Sequence, residues 1–189
     1  CDESDLITND GAEVGDLLFL TKPLGAGSIT TGVKRDVADQ QHVAAAVAGM
    51  MRLNDTAARA MKAAEVKAAT DITGFGLIGH AFNIARASKV VLQFNAADIP
   101  FYDGALALAE QGVISGASSR GRDIYGPNVT IGADVPTAIA DICFDAETSG
   151  GVLVCVNPAR VEAFRKGLGE DDLFVQVGEV LAGEAGILL

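Results

Sequence analysis

The chain has 189 residues, 49% of them hydrophobic and 21% charged, enough to bury one proper core. Fourteen Lys and Arg stand against 25 Asp and Glu, a formal net charge of −11. That field repels nucleic-acid phosphates and anionic lipid surfaces, so both are poor partners. An anionic substrate would bind only through local N–H groups or a metal ion.

Twenty-two Gly, 5 Pro and no Trp fit an α/β protein with many tight connections. Cys1, Cys143 and Cys155 form no C-x-x-C pair, and with only His42 and His80 beside them a zinc site is not expected. Thiols used this sparingly fit a reducing cytoplasm. No apolar run approaches the ~20 residues needed to span a bilayer. The start, Cys1-Asp2-Glu3-Ser4-Asp5, has neither the basic nor the apolar region of a signal peptide. It also lacks an initiator Met, which reads as a piece of a longer protein.

In chain order, the first ten residues are polar and read as a frayed or linking segment. Leu17 to Thr21 is a short apolar run, expected as a buried strand. Lys22-Pro23-Leu24-Gly25-Ala26-Gly27 reads as a loop. Val43 to Val66 is Ala- and Met-rich and predicted helical, with a break at Asn54-Asp55-Thr56 where a new N-cap forms. Ala68 and Ala69 lead into a polar and glycine turn, Thr70 to Gly76. Beyond it Ile78, Phe82 and Ala85 mark one helix face. Val90 to Phe94 is a predicted strand, Gly104 to Gln111 a helix, and Gly116 to Gly126 a Ser/Gly/Arg loop. Ala133 to Asp141 is expected to be helical, and Asp145 to Gly151 is a second polar-glycine turn. Val152 to Val156 is a buried strand, Val161, Phe164 and Leu168 a helix face, and Phe174 to Leu181 the final strand. The alternation of elements predicts one α/β domain.

The turn from Thr70 to His80 is the richest in chemistry. Gly74-x-Gly76-x-x-Gly79 matches the dinucleotide fingerprint, and Asp98 lies about twenty residues on. A strand feeding that motif stays apolar up to its turn, however, whereas Thr70, Asp71 and Thr73 are polar. The same turn suits metal-nucleotide chemistry, because Mg²⁺ keeps several waters and needs only one or two protein carboxylates beside phosphate oxygens. Asp71 is the candidate metal ligand. A capping acid is the simpler reading of its spacing alone. Thr148, Ser149, Gly150 and Gly151 are candidate nucleotide-binding residues, since hydroxyls and flexible N–H groups can form an anion nest. A tight turn before a core strand is the plain alternative. Lys22 has the wrong order for a phosphate loop and reads as a turn lysine, His80 as a hydrogen-bonded structural histidine, and Cys143 and Cys155 as small core hydrophobes.

Three segments together resemble selenophosphate synthetase (selenide, water dikinase): Leu20-Thr21-Lys22-Pro23-Leu24-Gly25, Ala68 through His80, and Thr148-Ser149-Gly150-Gly151. The resemblance covers nearly the whole chain. The middle segment is shared in looser form with AIR synthetase and the hydrogenase maturation protein of the same superfamily. It implies a three-layer α/β/α fold of the AIR synthetase C-terminal type, with a mixed sheet flanked by helices. Residues 1–16 would link from a missing N-terminal ATP-binding domain, and 17–189 would form the domain.

The implied reaction converts ATP, selenide and water to selenophosphate, AMP and orthophosphate in a homodimer. Its catalytic residues are expected upstream of Cys1, so the fragment alone would be inactive. Asp71 matches the acid that this domain contributes to Mg²⁺, and Thr148 to Gly151 match the glycine loop facing the ATP cleft. Two departures stand out. Asp145-Ala146-Glu147 replaces an expected Asp-Pro-Gln, adding a charge expected to oppose a phosphate, and Arg120-Gly121 stands where an Arg-Asn pair is expected.

Overall fold

A computed structural model describes residues 6–169 and 172–189. Cys1 and most of the opening acidic stretch therefore lie outside the described residues. Seven strands form one sheet in the order β2-β5-β1-β6-β3-β7-β4. The strands are β1 (Leu17–Leu20), β2 (Ala68–Asp71), β3 (Val91–Phe94), β4 (Val129–Thr130), β5 (Val152–Val156), β6 (Val175–Leu181) and β7 (Gly186–Leu188). β7 pairs in parallel with β3 and β4, and the other pairings are antiparallel.

Strand alternation sends side chains to two cores. On one face Leu18, Leu20, Ala68, Leu92, Phe94, Leu153 and Cys155 enter the larger cluster. On the other, Phe19, Ala69, Val152, Val154 and Val156 enter a smaller one. Because β5 is covered on both sides, all five of its residues are buried, which is why it reads as an unbroken apolar run.

The helices segregate accordingly. α1 (Ala26–Lys34), α2 (Gln40–Met51, through Ala46), α4 (Gly76–Ser88), α5 (Ala105–Glu110) and α7 (Thr137–Phe144) bury side chains in the larger core, and α6 (Gly116–Tyr125) packs on α4 and α7. α3 (Asp55–Ala63) and α8 (Val161–Gly167) cover the smaller core through Ala57, Ala60, Met61 and Phe164. This is the expected three-layer arrangement with a mixed sheet, although the second helical layer spans only the β2-β5-β1 half. Beyond it Gln93, Gln176 and Glu179 line an open hollow of about 500 Å³.

Of the segment expected to link to a preceding domain, residues 6–16 lie along the fold. Thr8 bridges Ala68 in parallel, Ala12 enters the larger core, and Gly15 donates to Val180 O at 2.9 Å.

Several expectations need correction. Residues 116–125 are a helix, not a loop. Ser115 caps it by accepting from Ala117 N at 3.1 Å, and Arg122 anchors it through Asp141 (2.7 Å) and the Phe144 ring (4.9 Å). Poor helix formers such as Ser and Gly are overridden there by tertiary contacts. At Gly121, where the family pattern suggested Asn, a Cβ would stand 2.9 Å from Phe144 O. α1, unforeseen in the Gly- and Thr-rich stretch after Gly25, is held by burial of Ala26, Ser28 and Ile29. The chain does not end on β6, for β7 follows, and β4 is also additional.

The dinucleotide motif does follow a strand and open a helix, but its setting is wrong. β2 is an edge strand paired antiparallel to β5, and β3, the strand after α4, sits four places away. A dinucleotide fold needs those two strands parallel and adjacent.

Candidate functional site

Antiparallel pairing decides where the three motifs meet. β1 and β2 both run against β5, so the ends of β1 and β2 lie beside the start of β5. Thr21-Lys22, Asp71 and Thr148–Gly151 therefore converge on one corner, although up to 131 positions separate bonded partners there.

Asp71 ends β2 opposite Val152. It is exposed, and among the described residues its carboxylate makes no hydrogen bond or ion pair. It is therefore not spent as a helix cap, the plain alternative. With Thr8, Asn54, Ala58, Met61 and Thr70 it lines a cleft of about 700 Å³ between α3 and the sheet edge.

The two polar-glycine turns are interlocked. Ile72 N donates to Gly151 O (2.9 Å), and Glu147 N donates to Thr73 O (2.9 Å). A Cβ on Gly150 would lie 2.4 Å from Ile72 O. Gly76 has φ +66° and a Cβ position 2.5 Å from Asp145 O. Replacing it with Ala combines left-handed strain with a clash against backbone that cannot swing away. We expect Gly76→Ala to cost about 3 kcal/mol in denaturant unfolding of this chain. A loss below roughly 1 kcal/mol would show that the turns can move apart.

Thr148 and Ser149 are exposed, and Gly150 and Gly151 are buried. Ser149 is left-handed at φ +51°. Among the described residues, none of the N–H groups of 148–151 donates a hydrogen bond within the chain. The carbonyls of the loop, by contrast, are taken: Ser149 O by Lys22 Nζ (2.9 Å) and Gly150 O by Asn54 Nδ2 (2.9 Å).

Lys22 is not a turn lysine at the surface. Its residue is 1% exposed, and Nζ also donates to Arg52 O at 2.6 Å. Burial, helped by the nearby Arg52 guanidinium, pushes its pKa down. Sequence reasoning missed this residue because a lysine beside Pro and Gly looks exposed; the distant carbonyls of Arg52 and Ser149 hold its ammonium inside.

Glu147 likewise differs from expectation. Its carboxylate turns inward, 4% exposed, and accepts from Gly25 N (2.6 Å) and Ala26 N (3.2 Å), capping α1. It therefore does not oppose a ligand in the cleft. Burial pushes its pKa up to about 8, resisted by those two N–H donors and reinforced by Asp145. Asp145 is itself buried and accepts from Ser115 N at 3.1 Å.

His80 is hydrogen-bonded, as expected. Its Nε2 lies 3.1 Å from both Thr73 N and Thr73 Oγ1, so Nε2 accepts the amide hydrogen and the ring is neutral. Burial pushes its pKa down, and the Asp71 charge offsets part of that. Cys143 and Cys155 are buried thiols with pKa pushed up to about 12, inert as nucleophiles.

Among the described residues no group of three or more His, Cys, Asp or Glu is placed to hold a metal ion. A lone exposed carboxylate such as Asp71 would suit Mg²⁺ only as one ligand among several, because that ion keeps several of its waters.

Residues 13–189 match the family model "AIR synthase related protein, C-terminal domain". The chain belongs to the AIR synthase related family, as its C-terminal domain. Relatives include the selenide, water dikinase of Paraburkholderia xenovorans, 38% identical over 184 residues, covering 95% of this chain and 51% of that protein. That of Caldanaerobacter subterraneus is 39% identical, covering 87% of this chain and 48% of its own. The chain thus spans about half the length of these relatives. Among solved structures, the hydrogenase maturation protein HypE in complex with ATP superposes with a TM-score of 0.65 at 14% identity, covering 96% of this chain and 49% of HypE. At that identity the likeness concerns the fold.

Proposed function

We propose that this AIR synthase related domain is the C-terminal half of a selenide, water dikinase, closing the Mg·ATP site of an N-terminal ATP-binding domain. The reaction converts ATP, selenide and water to selenophosphate, AMP and orthophosphate. The reacting nucleophile belongs to the preceding domain, and the working form is a homodimer in the cytoplasm. The names of the relatives, matched along most of the chain, support this reading. Among the described residues no helix is long and apolar enough to cross a membrane.

One observation carries it: among the described residues Asp71 is an exposed carboxylate without an internal partner, beside a loop whose N–H groups are unspent while its carbonyls are bound. Asp71 would hold Mg²⁺ from one side. The metal, when bound, supplies charge neutralisation at the phosphate oxygens. The N–H groups of 148–151 offer donors to the same anion, which lets a chain of net charge −11 face a polyphosphate. Glu147, turned away, keeps its carboxyl group out of the cleft.

The test is phosphorus NMR on the full-length polypeptide that contains this chain, incubated anaerobically with Mg²⁺, ATP and selenide. Selenide-dependent AMP, orthophosphate and a new selenophosphate signal are expected. ADP, or turnover indifferent to selenide, would move the protein to another ATP-dependent branch of the superfamily.

A further inference from the structure

We infer that Lys22 and Asn54 are a pair of positioning residues that lock the glycine loop with its N–H groups turned toward an anionic ligand. The inference rests on the proposed nucleotide site and deepens it.

Gly151 O is held by Ile72 N at 2.9 Å, but among the described residues no backbone donor holds the carbonyls of Ser149 and Gly150. Ser149 already sits at φ +51°, and two glycines follow, so the peptides 149–150 and 150–151 can rotate at low cost. Rotation would exchange their faces, presenting carbonyl oxygens where N–H groups are needed, and an anion would then be repelled.

Two side chains prevent this. Lys22 Nζ holds Ser149 O at 2.9 Å, and Asn54 Nδ2 holds Gly150 O at 2.9 Å. In a trans peptide the N–H points opposite to the C=O. Fixing these two consecutive carbonyls therefore fixes the N–H groups of Gly150 and Gly151 on the other side. Neither N–H is bonded within the chain among the described residues.

The choice of lysine is informative. Lys22 is 1% exposed, yet no carboxylate pairs with it among the described residues; its partners are the carbonyls of Arg52 and Ser149. A neutral donor would serve a mere staple at lower desolvation cost. A buried ammonium beside a loop of free N–H groups adds positive potential for an incoming anion, against the negative field of the whole chain. Asn54 has likewise given up a local role. It precedes α3 but makes no side-chain cap, reaching across to residue 150 instead.

Lys22→Met and Asn54→Ala in the full-length polypeptide, titrated calorimetrically with Mg·ATP and separately with adenosine, test the pair. We expect each variant to weaken Mg·ATP by about ten-fold, one charge-assisted or amide hydrogen bond's worth of loop order, and to leave adenosine unchanged. Asn54→Ala keeps the test decisive if loss of the buried ammonium unfolds the domain. Unchanged Mg·ATP binding in the folded variants would overturn the inference and leave the proposed function standing, as would equal weakening of both ligands, the mark of a purely structural staple. No Mg·ATP binding by the unsubstituted protein would overturn both.

Discussion

Asp71→Asn in the full-length polypeptide is expected to lower selenide-dependent turnover by at least about 100-fold while leaving the fold intact. The magnitude follows from metal chemistry, where even partners behind a ligand cost ten- to hundred-fold when removed, so an ionised ligand itself costs no less. The structural half of the expectation comes from what Asp71 does not do. It is exposed, and its side chain has no internal hydrogen bond or ion pair among the described residues, so its loss falls in the class of surface changes within about 0.5 kcal/mol. Its charge props up the pKa of the His80 ring, which burial pushes down, so the substitution would let that pKa sink further. Turnover as a function of Mg²⁺ concentration and thermal unfolding are the two measurements. Near-normal turnover at limiting Mg²⁺ would remove Asp71 from the metal. A large drop in melting temperature would instead assign it a structural role.

The second large effect is a pH dependence of stability carried by Glu147. Its pKa in the folded chain, about 8, lies above the ordinary glutamate value of 4.5. Between those two pH values the folded chain keeps a proton that the unfolded chain has released. The contribution of Glu147 is therefore full below about pH 4.5 and is lost as pH rises through about 8. The slope for one such group is on the order of 1.4 kcal/mol per pH unit. Asp16, also pushed up by burial, adds to the slope in the same direction, so the wild-type curve alone does not isolate Glu147. Glu147→Gln does. The amide retains an acceptor for the start of α1 without a charge to bury. Denaturant unfolding from pH 5 to 9 should show a flatter curve for the variant, which becomes the more stable protein at pH 9. A slope equally steep in both proteins would mean that Glu147 is ionised throughout, held by the Gly25 and Ala26 amides. Gln was expected at this position from the family pattern, so the substitution also asks whether this chain gains anything from its acid.

Much of the architecture is legible in the residues themselves. The run from Val152 to Val156 reads as a buried strand and is one covered on both faces, because apolar side chains at every position leave no face for water. Of Ile78, Phe82 and Ala85, at helical spacing, the first and last are fully buried on α4 and Phe82 is partly buried against the same core. Asp71 and Thr148–Gly151 were also recognisable as polar and glycine turns at strand ends, since both interrupt apolar runs. The reading failed where local preference and tertiary contact disagree. The Gly and Thr of Ala26–Lys34 are weak helix formers; burial on one side and a carboxylate 122 positions away at its start stabilise the helix. Gly116–Tyr125 is helical because Arg122 and Ser118 are tied to Asp141. Which residues face the cleft was likewise beyond one-dimensional pattern. Glu147 looked like an unwelcome charge in the site and is a buried cap; Lys22 looked like a surface turn residue and holds the glycine loop. The common reason is that side-chain direction depends on which strands pair. The chemistry of each motif is local, but the corner where the motifs meet exists only once β1 and β2 have paired with β5.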